Sequence, residues 1–335
     1  MDEAARAWSL DRVTELYGGP NDGVRLQGWQ PLRVEASHRR FYRLHWQSDA
    51  AAAPRTLVVM ASPPELENNR QFVLLAELFA QHGIGVPRLL AVDEARGFAL
   101  MSDLGEQHFE DVYESAGPAS VLPRALEVLH RLQRIDDARI PPYTRQRFED
   151  ELGIYREWFL GRLLEHGPAP GLDEAFEILI ESTQRQPVVC VHRDFHCRNL
   201  LLTPAGEVGV VDFQDALMGP AGYDLASLLR DCYYRFDEAE VARWRDAYLG
   251  VTTLPLDPAS FARDLDFTAL QRQLKAVGIF ARLRLRDGRA SHLPHIVPVL
   301  ERIGALAAAH PALAALAAHV ESVLPRARAR LEALR

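Results

Sequence analysis

The chain has 335 residues, 48% hydrophobic and 25% charged, a globular composition long enough to bury a sizeable core in two domains or lobes. A net charge of −8 argues against nucleic acid or an anionic membrane as the main partner, and no apolar run approaches the ~20 residues needed to cross a bilayer. Three cysteines without framework spacing (Cys190, Cys197, Cys232) and an acidic N-terminus without an apolar leader read as a cytoplasmic protein with reduced thiols.

Strand signals dominate up to about residue 104. Leu32 and Val34 alternate in QPLRVEA, Tyr42, Leu44 and Trp46 alternate in RFYRLHW, and RTLVVMA is a compact β-branched run. ASHRR connects the first two, and the Ala/Pro-rich SDAAAAP separates the second from the third. A helix is predicted to start at Ser62: Ser at the N-cap, Pro63 at N1 and Glu65 at N3 form a capping box, with apolar residues at Leu66, Phe72, Val73, Ala76 and Phe79. Gly83 is its stop. PRLLAVDEARGFALMSDLG reads as two strands around the turn DEARG, completing a small antiparallel sheet with one helix on it.

After Gly105 the helical period takes over, in VLPRALEVLHRLQRI, RFEDELGIYREWFLGRLL and DEAFEILIEST. Strand signals here are confined to VVCV (188–191), NLLL (199–202) and VGVVDF (208–213), and from about 221 the chain is helical to its end. DLGEQHF marks the expected lobe boundary. Residues 1–104 form a smaller N-lobe in this reading, and 105–335 a larger C-lobe.

The densest chemistry lies in VHRDFHCRNLLL (191–202), where His192, Arg193, Asp194, His196, Arg198 and Asn199 sit between apolar flanks. His192-x-Asp194, then Asn199, then Asp212 at the end of a hydrophobic strand has the residue types that phosphoryl transfer needs. One carboxylate orients the accepting hydroxyl and takes its proton, while an amide oxygen and a second carboxylate hold Mg²⁺ against phosphates. Pairing of NLLL with VGVVDF through the turn TPAGE brings Asn199 and Asp212 to the same mouth. The apolar flanks make the loop rigid.

HRDFHCRN with VVDFQDALMGPAGYDLASLLRD resembles the aminoglycoside/choline-type phosphotransferases, whose fold is similar to that of protein kinases. The similarity runs through nearly the whole chain, including SHRRFYRL, VVMASPPE and EWF, and within the family it looks most like the bacterial anomeric N-acetylmuramate/N-acetylglucosamine kinases of cell-wall sugar salvage. The resemblance implies an α+β, two-lobe kinase-like fold, with a small antiparallel-sheet N-lobe and a larger, mostly helical C-lobe. It implies ATP and Mg²⁺ as cofactors, Asp194 as catalytic base, and Asn199 and Asp212 as metal ligands. Adenine would lie on the backbone of Ser102, Asp103 and Leu104. His196 would meet phosphate or acceptor, His192 would brace the loop, and Asp224 would accept its backbone N–H groups.

Two departures from the family pattern stand out. The third strand has Met60 near the position of the expected lysine, and the phosphate loop ASHRR, with Ser37, His38 and Arg39, is not glycine-rich. Lys275 is the one lysine in the sequence. Arg39, Arg40, Arg43 and Arg198 are the expected substitutes, Arg43 because it faces away from Tyr42, Leu44 and Trp46 on its strand. The acceptor is expected on RFEDELGIYREWF, where Glu151, Tyr155 and Trp158 share a face at helical spacing, with Glu157 and Asp215 nearby. The activity expected is ATP-dependent phosphorylation of the anomeric hydroxyl of an amino sugar by a monomer. The alternatives are a kinase for an aminoglycoside, choline or a homoserine-like amine, and a non-catalytic nucleotide-binding regulator.

Overall fold

The computed structural model describes residues 2–18, 25–32, 38–47, 55–167 and 169–334. They pack as two compact units, one of Met1–Arg124 with Asn199–Gln214 and the other of Ala125–Arg198 with Asp215–Arg335. The strand pair that carries Asn199 and Asp212 therefore groups with the sheet unit.

In chain order the first unit opens with α1 (Asp2–Tyr17), β1 (Arg25–Pro31), β2 (Arg40–Gln47), β3 (Thr56–Ala61), α2 (Asn69–Gln81), β4 (Leu89–Asp93) and β5 (Phe98–Ser102). The five strands form one antiparallel sheet in the order β1-β2-β3-β5-β4. Register places Tyr42 opposite Val59, Leu44 opposite Leu57, and Val59 opposite Leu100, so these residues share a face. Trp46, Ala61 and Phe98 join them, and Ala5, Trp8 and Val13 of α1 close the core over them.

Two expectations are revised here, and one helix is new. The first strand described is Arg25–Pro31, with Leu26 opposite Trp46, and residues 33–37, which hold most of the expected QPLRVEA strand, lie outside those described. Helix α1 buries only Ala5, Trp8, Ser9 and Val13, too sparse a stripe to betray it in sequence. Helix α2 starts at Asn69, not after Ser62: Asn68 caps it by accepting from the Gln71 N–H at 3.1 Å. Ser62 instead ends the strand, donating from Oγ to Asn69 Oδ1 at 2.5 Å and accepting from Asn69 Nδ2 at its carbonyl at 3.1 Å. Gly83, at φ 70°, terminates the helix as expected.

Next come α3 (Phe109–Ala116), α4 (Leu122–Gln133), α5 (Arg145–Ile154), a π-helical run over Tyr155–Leu163, α6 (Leu172–Gln184), β6 (Val188–Val191), β7 (Leu200–Leu202), β8 (Val208–Val210), β9 (Leu217–Pro220), α7 (Tyr223–Leu229), α8 (Glu238–Leu249), α9 (Pro258–Leu285), α10 (Leu293–Ala308) and α11 (Ala314–Glu332). β7 and β8 pair antiparallel as predicted, and β6 pairs antiparallel with β9, a strand the sequence hid in LMGP. The second unit is built round α9, whose 28 residues bury Asp264, Gln271, Arg272, Gln273 and Lys275 as well as apolar side chains. It packs on α5, α6, α7, α10 and the π-helical run. Gly278 makes that last approach possible, since a Cβ there would stand 2.6 Å from the backbone N of Tyr155. Among the described residues no helix is long and apolar enough to cross a membrane.

Candidate active site

In the second unit the polar loop follows directly from β6, which is anchored by pairing Val191 opposite Leu217. His192, Phe195 and Cys197 are buried, while Asp194, His196 and Arg198 reach the surface between them, so the loop alternates anchors with functional groups. Asp224, at the start of α7, accepts the backbone N–H groups of His192 at 2.6 Å and Arg193 at 2.9 Å. Burial pushes its carboxyl up to about 7, against the pull of those two hydrogen bonds and of Arg272. His192 braces the loop by accepting the Asp194 N–H at Nδ1, 3.3 Å away, and Asp231 accepts the Cys197 N–H at 3.2 Å. Arg198 lies 3.7 Å over the Tyr233 ring, and His196 meets the same ring edge-on.

Asp194 exposes 38% of its side chain, and its Oδ1 lies 3.5 Å from Arg272 Nη2. Burial alone would raise its pKa, but Lys275 and Arg272, then His196 and Arg193, hold the carboxyl well below the usual carboxylate range. The group is an anion at neutral pH with its charge available as a proton acceptor or hydroxyl-orienting group. Arg193 is held in the left-handed region, at φ 80°, where a non-glycine residue persists only under constraint from its surroundings.

In the first unit the metal-type ligands stand at the open end of the β7–β8 hairpin. The Val211 N–H donates to the Asn199 carbonyl at 3.0 Å, so Asp212 emerges one residue beyond that pair. Phe213 is buried and stacks on Phe72 of α2 at 5.1 Å, which pins the backbone just past Asp212. Asp212 itself is exposed, has φ 64°, and accepts at Oδ1 from Gln214 Nε2 at 2.8 Å. An amide oxygen and a carboxylate on a rigid hairpin end are hard oxygen donors, and they fit a divalent ion such as Mg²⁺ whose remaining sphere comes from phosphates and water.

The other predicted residues are placed differently. Ser37 lies outside the described residues. The His38 N–H donates to Glu67 Oε1 at 2.9 Å. Arg39 is buried and pairs with Glu67 at 3.0 Å, and Arg40 pairs with Asp2 at 2.7 Å. Arg43 is committed to protein partners instead. Four of its five donors are engaged: Nε and Nη2 on Asp103 at 2.6 and 3.0 Å, Nη2 also on the Gly105 carbonyl at 2.8 Å, and Nη1 on Glu106. It clamps the 103–106 segment; burial pushes the Asp103 carboxyl up, but Arg43, the Gly105 N–H and Thr56 together hold it below its usual range. Met60 is buried. Ser102 Oγ accepts the Arg88 N–H at 2.8 Å, and Leu104 lies against Gly209.

The residues expected to share a sugar-facing side of one helix are placed apart. From Tyr155 the helix is π-wound, as in the Leu164 N–H donating to the Phe159 carbonyl five residues back at 3.0 Å, so spacings counted at 3.6 residues per turn fail. Glu151 is buried among Tyr143, Arg193 (2.6 Å), Gln271 (3.1 Å) and Lys275 (3.4 Å). Tyr155 is buried with its hydroxyl 3.0 Å from His319 Nε2. Trp158 is half-buried under Arg162 at 4.1 Å, and exposed Glu157 pairs with that same Arg162 at 2.6 Å. Asp215 is exposed, and its carbonyl accepts from Arg193 at 3.4 Å. Sequence reasoning missed Arg193, Arg272 and Lys275 as a cationic set around the loop. The one signal available was the solitary lysine, one helical turn from Arg272.

Residues 28–262 match the family model described as Phosphotransferase enzyme family. The chain is 37% identical over 296 residues to the N-acetylmuramate/N-acetylglucosamine kinase of Pseudomonas aeruginosa, covering 85% of this chain and 86% of that protein. It is 33% identical to the protein of the same name from Pseudomonas putida, with 88% of each covered. Among solved structures, a choline/ethanolamine kinase family protein from Mesorhizobium loti aligns with a TM-score of 0.64 at 17% identity, over 95% of this chain and 98% of that one. That last likeness is one of fold: the two-lobe kinase-like architecture.

Proposed function

Because the chain belongs to the phosphotransferase enzyme family and is an ATP-dependent kinase, we propose that it phosphorylates the anomeric hydroxyl of N-acetylmuramate, N-acetylglucosamine or both, in cell-wall sugar salvage. The observation that carries this reading is the likeness, over most of the chain, to curated kinases of that name, which takes in the Asp194, Asn199 and Asp212 set.

In this reading Asp194 accepts a hydrogen bond from the acceptor hydroxyl and takes its proton. An anomeric hydroxyl is more acidic than an ordinary one, so a strongly ionised carboxylate suffices. The Asn199 amide oxygen and the Asp212 carboxylate are the donors for Mg²⁺, which when bound neutralises the phosphate charge. His196 and Arg198, both anchored on Tyr233, are the groups of the loop assigned to phosphate. Residues 1–104 act as the nucleotide lobe and 105–335 as the acceptor lobe. A single chain in the cytoplasm is the working unit, with small molecules and neither nucleic acid nor membrane as partners.

The test is ATP consumption over N-acetylated hexosamines, aminoglycosides and choline, with the position of the phosphate read by NMR. A 1-phosphate on an N-acetylhexosamine is the expected product; turnover of choline or an aminoglycoside alone would sink the sugar assignment, and silence everywhere would favour a nucleotide-binding regulator. Asp194→Asn should lower kcat at least ~100-fold with Mg·ATP still bound. Asp212→Ala should weaken Mg·ATP binding itself, and unchanged affinity would remove its ligand role.

A further inference from the structure

Arg193 and Asp194 are held from several sides. Asp224 takes the Arg193 N–H at 2.9 Å, and the Arg193 guanidinium is gripped by Glu151 at 2.6 Å and by the Asp215 carbonyl at 3.4 Å. The carbonyl side of the same residue is held by α9. Arg272, 8% exposed, donates from Nη2 to the Arg193 carbonyl at 3.2 Å, and the same nitrogen stands 3.5 Å from Asp194 Oδ1. Its guanidinium lies 5.3 Å over the Tyr223 ring, which fixes its plane. Lys275, one turn on, meets Glu151 and the Tyr223 hydroxyl at 3.4 Å each. Within α9, Arg272 is therefore the cation that touches both the strained peptide and the carboxylate that follows it.

We propose that Arg272 is a positioning residue for phosphoryl transfer: it fixes the Arg193–Asp194 peptide and stands beside the Asp194 carboxylate, orienting it toward the acceptor hydroxyl. This rests on the reading of Asp194 as the group that meets the acceptor. In the step it supports, the Asp194 carboxylate takes the hydroxyl proton as the acceptor oxygen bonds to the γ-phosphorus. The bond from that phosphorus to the bridging oxygen breaks, and its electron pair leaves on ADP. Arg272 touches none of the reacting atoms. Its charge stays beside a carboxylate that must remain an anion until the proton arrives, and its hydrogen bond stops the loop from relaxing out of the left-handed conformation at Arg193. A guanidinium does both at once because one planar group reaches a carbonyl and a carboxylate together.

The experiment compares kcat and the KM values for ATP and N-acetylglucosamine in the wild type, Arg272→Met, Arg272→Lys, Asp194→Asn and the double variant Asp194→Asn/Arg272→Met. Arg272→Met should lower kcat at least ~10-fold with the KM for ATP within about twofold, because the donor side is untouched. Arg272→Lys should recover part of that loss. In the Asp194→Asn background the Met substitution should cost less than about twofold more, since its partner is already disabled. Wild-type kcat in Arg272→Met overturns the proposal, and so does a full repeat of its loss in the Asp194→Asn background, the mark of a merely structural role. Should Arg272→Met fail to fold, Arg272→Lys and its double with Asp194→Asn decide by the same coupling. Normal turnover in Asp194→Asn would instead overturn the reading of Asp194 itself, whereas an inactive Asp194→Asn beside fully active Arg272 variants removes the positioning role alone.

Discussion

Replacing Glu151 by glutamine keeps the shape of a buried side chain and removes its charge. Glu151 is 5% exposed and accepts from the Tyr143 hydroxyl, from Arg193 at 2.6 Å and from Gln271 at 3.1 Å, with the Lys275 ammonium at 3.4 Å. Burial works to raise its pKa, but Lys275 and Arg193, with the hydrogen bonds from Tyr143 and Gln271, together hold the carboxyl below its ordinary value, so the native group is an anion facing two buried cations. The amide strips both cations of their counter-charge and turns one acceptor into a donor. Breaking a buried pair from one side costs about 3–5 kcal/mol. At roughly 2 °C per kcal/mol for a chain of this size, the melting temperature of Glu151→Gln should fall by about 6–10 °C. Scanning calorimetry beside an acceptor titration reads the outcome. A melting temperature within about 2 °C of wild type, with a raised acceptor KM, would refute the reasoning and return Glu151 to the sugar site that its helical spacing first implied.

Arg43→Met breaks the Arg43–Asp103 pair, whose side chains are 6% and 7% exposed, and should cost a similar ~3–5 kcal/mol by urea unfolding. The KM for ATP of the folded protein should stay within about threefold, and a tenfold rise without loss of stability would make Arg43 a phosphate ligand after all. His319, buried beside Tyr155 and facing His166, has its pKa lowered by burial from 6.5 to about 4. The unfolded chain therefore binds the extra proton between those values: stability is full above pH 6.5 and falls toward pH 4 by at most about 3 kcal/mol. Urea midpoints at pH 7 and pH 5 should differ less in His319→Asn than in the wild type, and an unchanged difference counts against the assignment. Gly278→Ala drives a Cβ to within 2.6–2.7 Å of the backbone at Ile154 and Tyr155 and should destabilise by ~1–3 kcal/mol, whereas Gly153→Ala meets nothing within 4 Å and should be neutral or stabilising. Thermal melts of the two variants should separate accordingly.

The loop from His192 to Asn199 and the hairpin leading to Asp212 could be read from sequence because their geometry is local: a fixed spacing, two short strands and a turn. What decided the roles of Arg43, Glu151 and Arg272 lay far along the chain, 60 residues away for Asp103, 120 for Gln271 and 79 for the Arg193 carbonyl. An arginine on a strand facing away from the core carries no mark telling a phosphate ligand from a clamp. The shared helical face of Glu151, Tyr155 and Trp158 was misread for another reason. Counting at 3.6 residues per turn assumes an α-helix, and the close packing of Gly278 against residues 154–155 accompanies a π-helical run that no periodicity announced. At α2 the apparent capping box at Ser62 lost to Asn68 and Asn69, because Ser62 was already tied to the end of β3.

The solitary lysine has a practical consequence. Lys275 lies in the middle of a 28-residue helix and is 8% exposed, so a lysine-specific protease has one peptide bond to cut in this chain, and the native fold hides it. Cleavage after residue 275 then counts the molecules in which α9 has opened, without any introduced probe. Under conditions where reclosing outpaces the protease, the rate of that single cut reports the free energy of opening the element that carries Arg272. Ligands that tighten the catalytic loop onto α9 would announce themselves as protection of one bond, readable on a gel before any activity is measured.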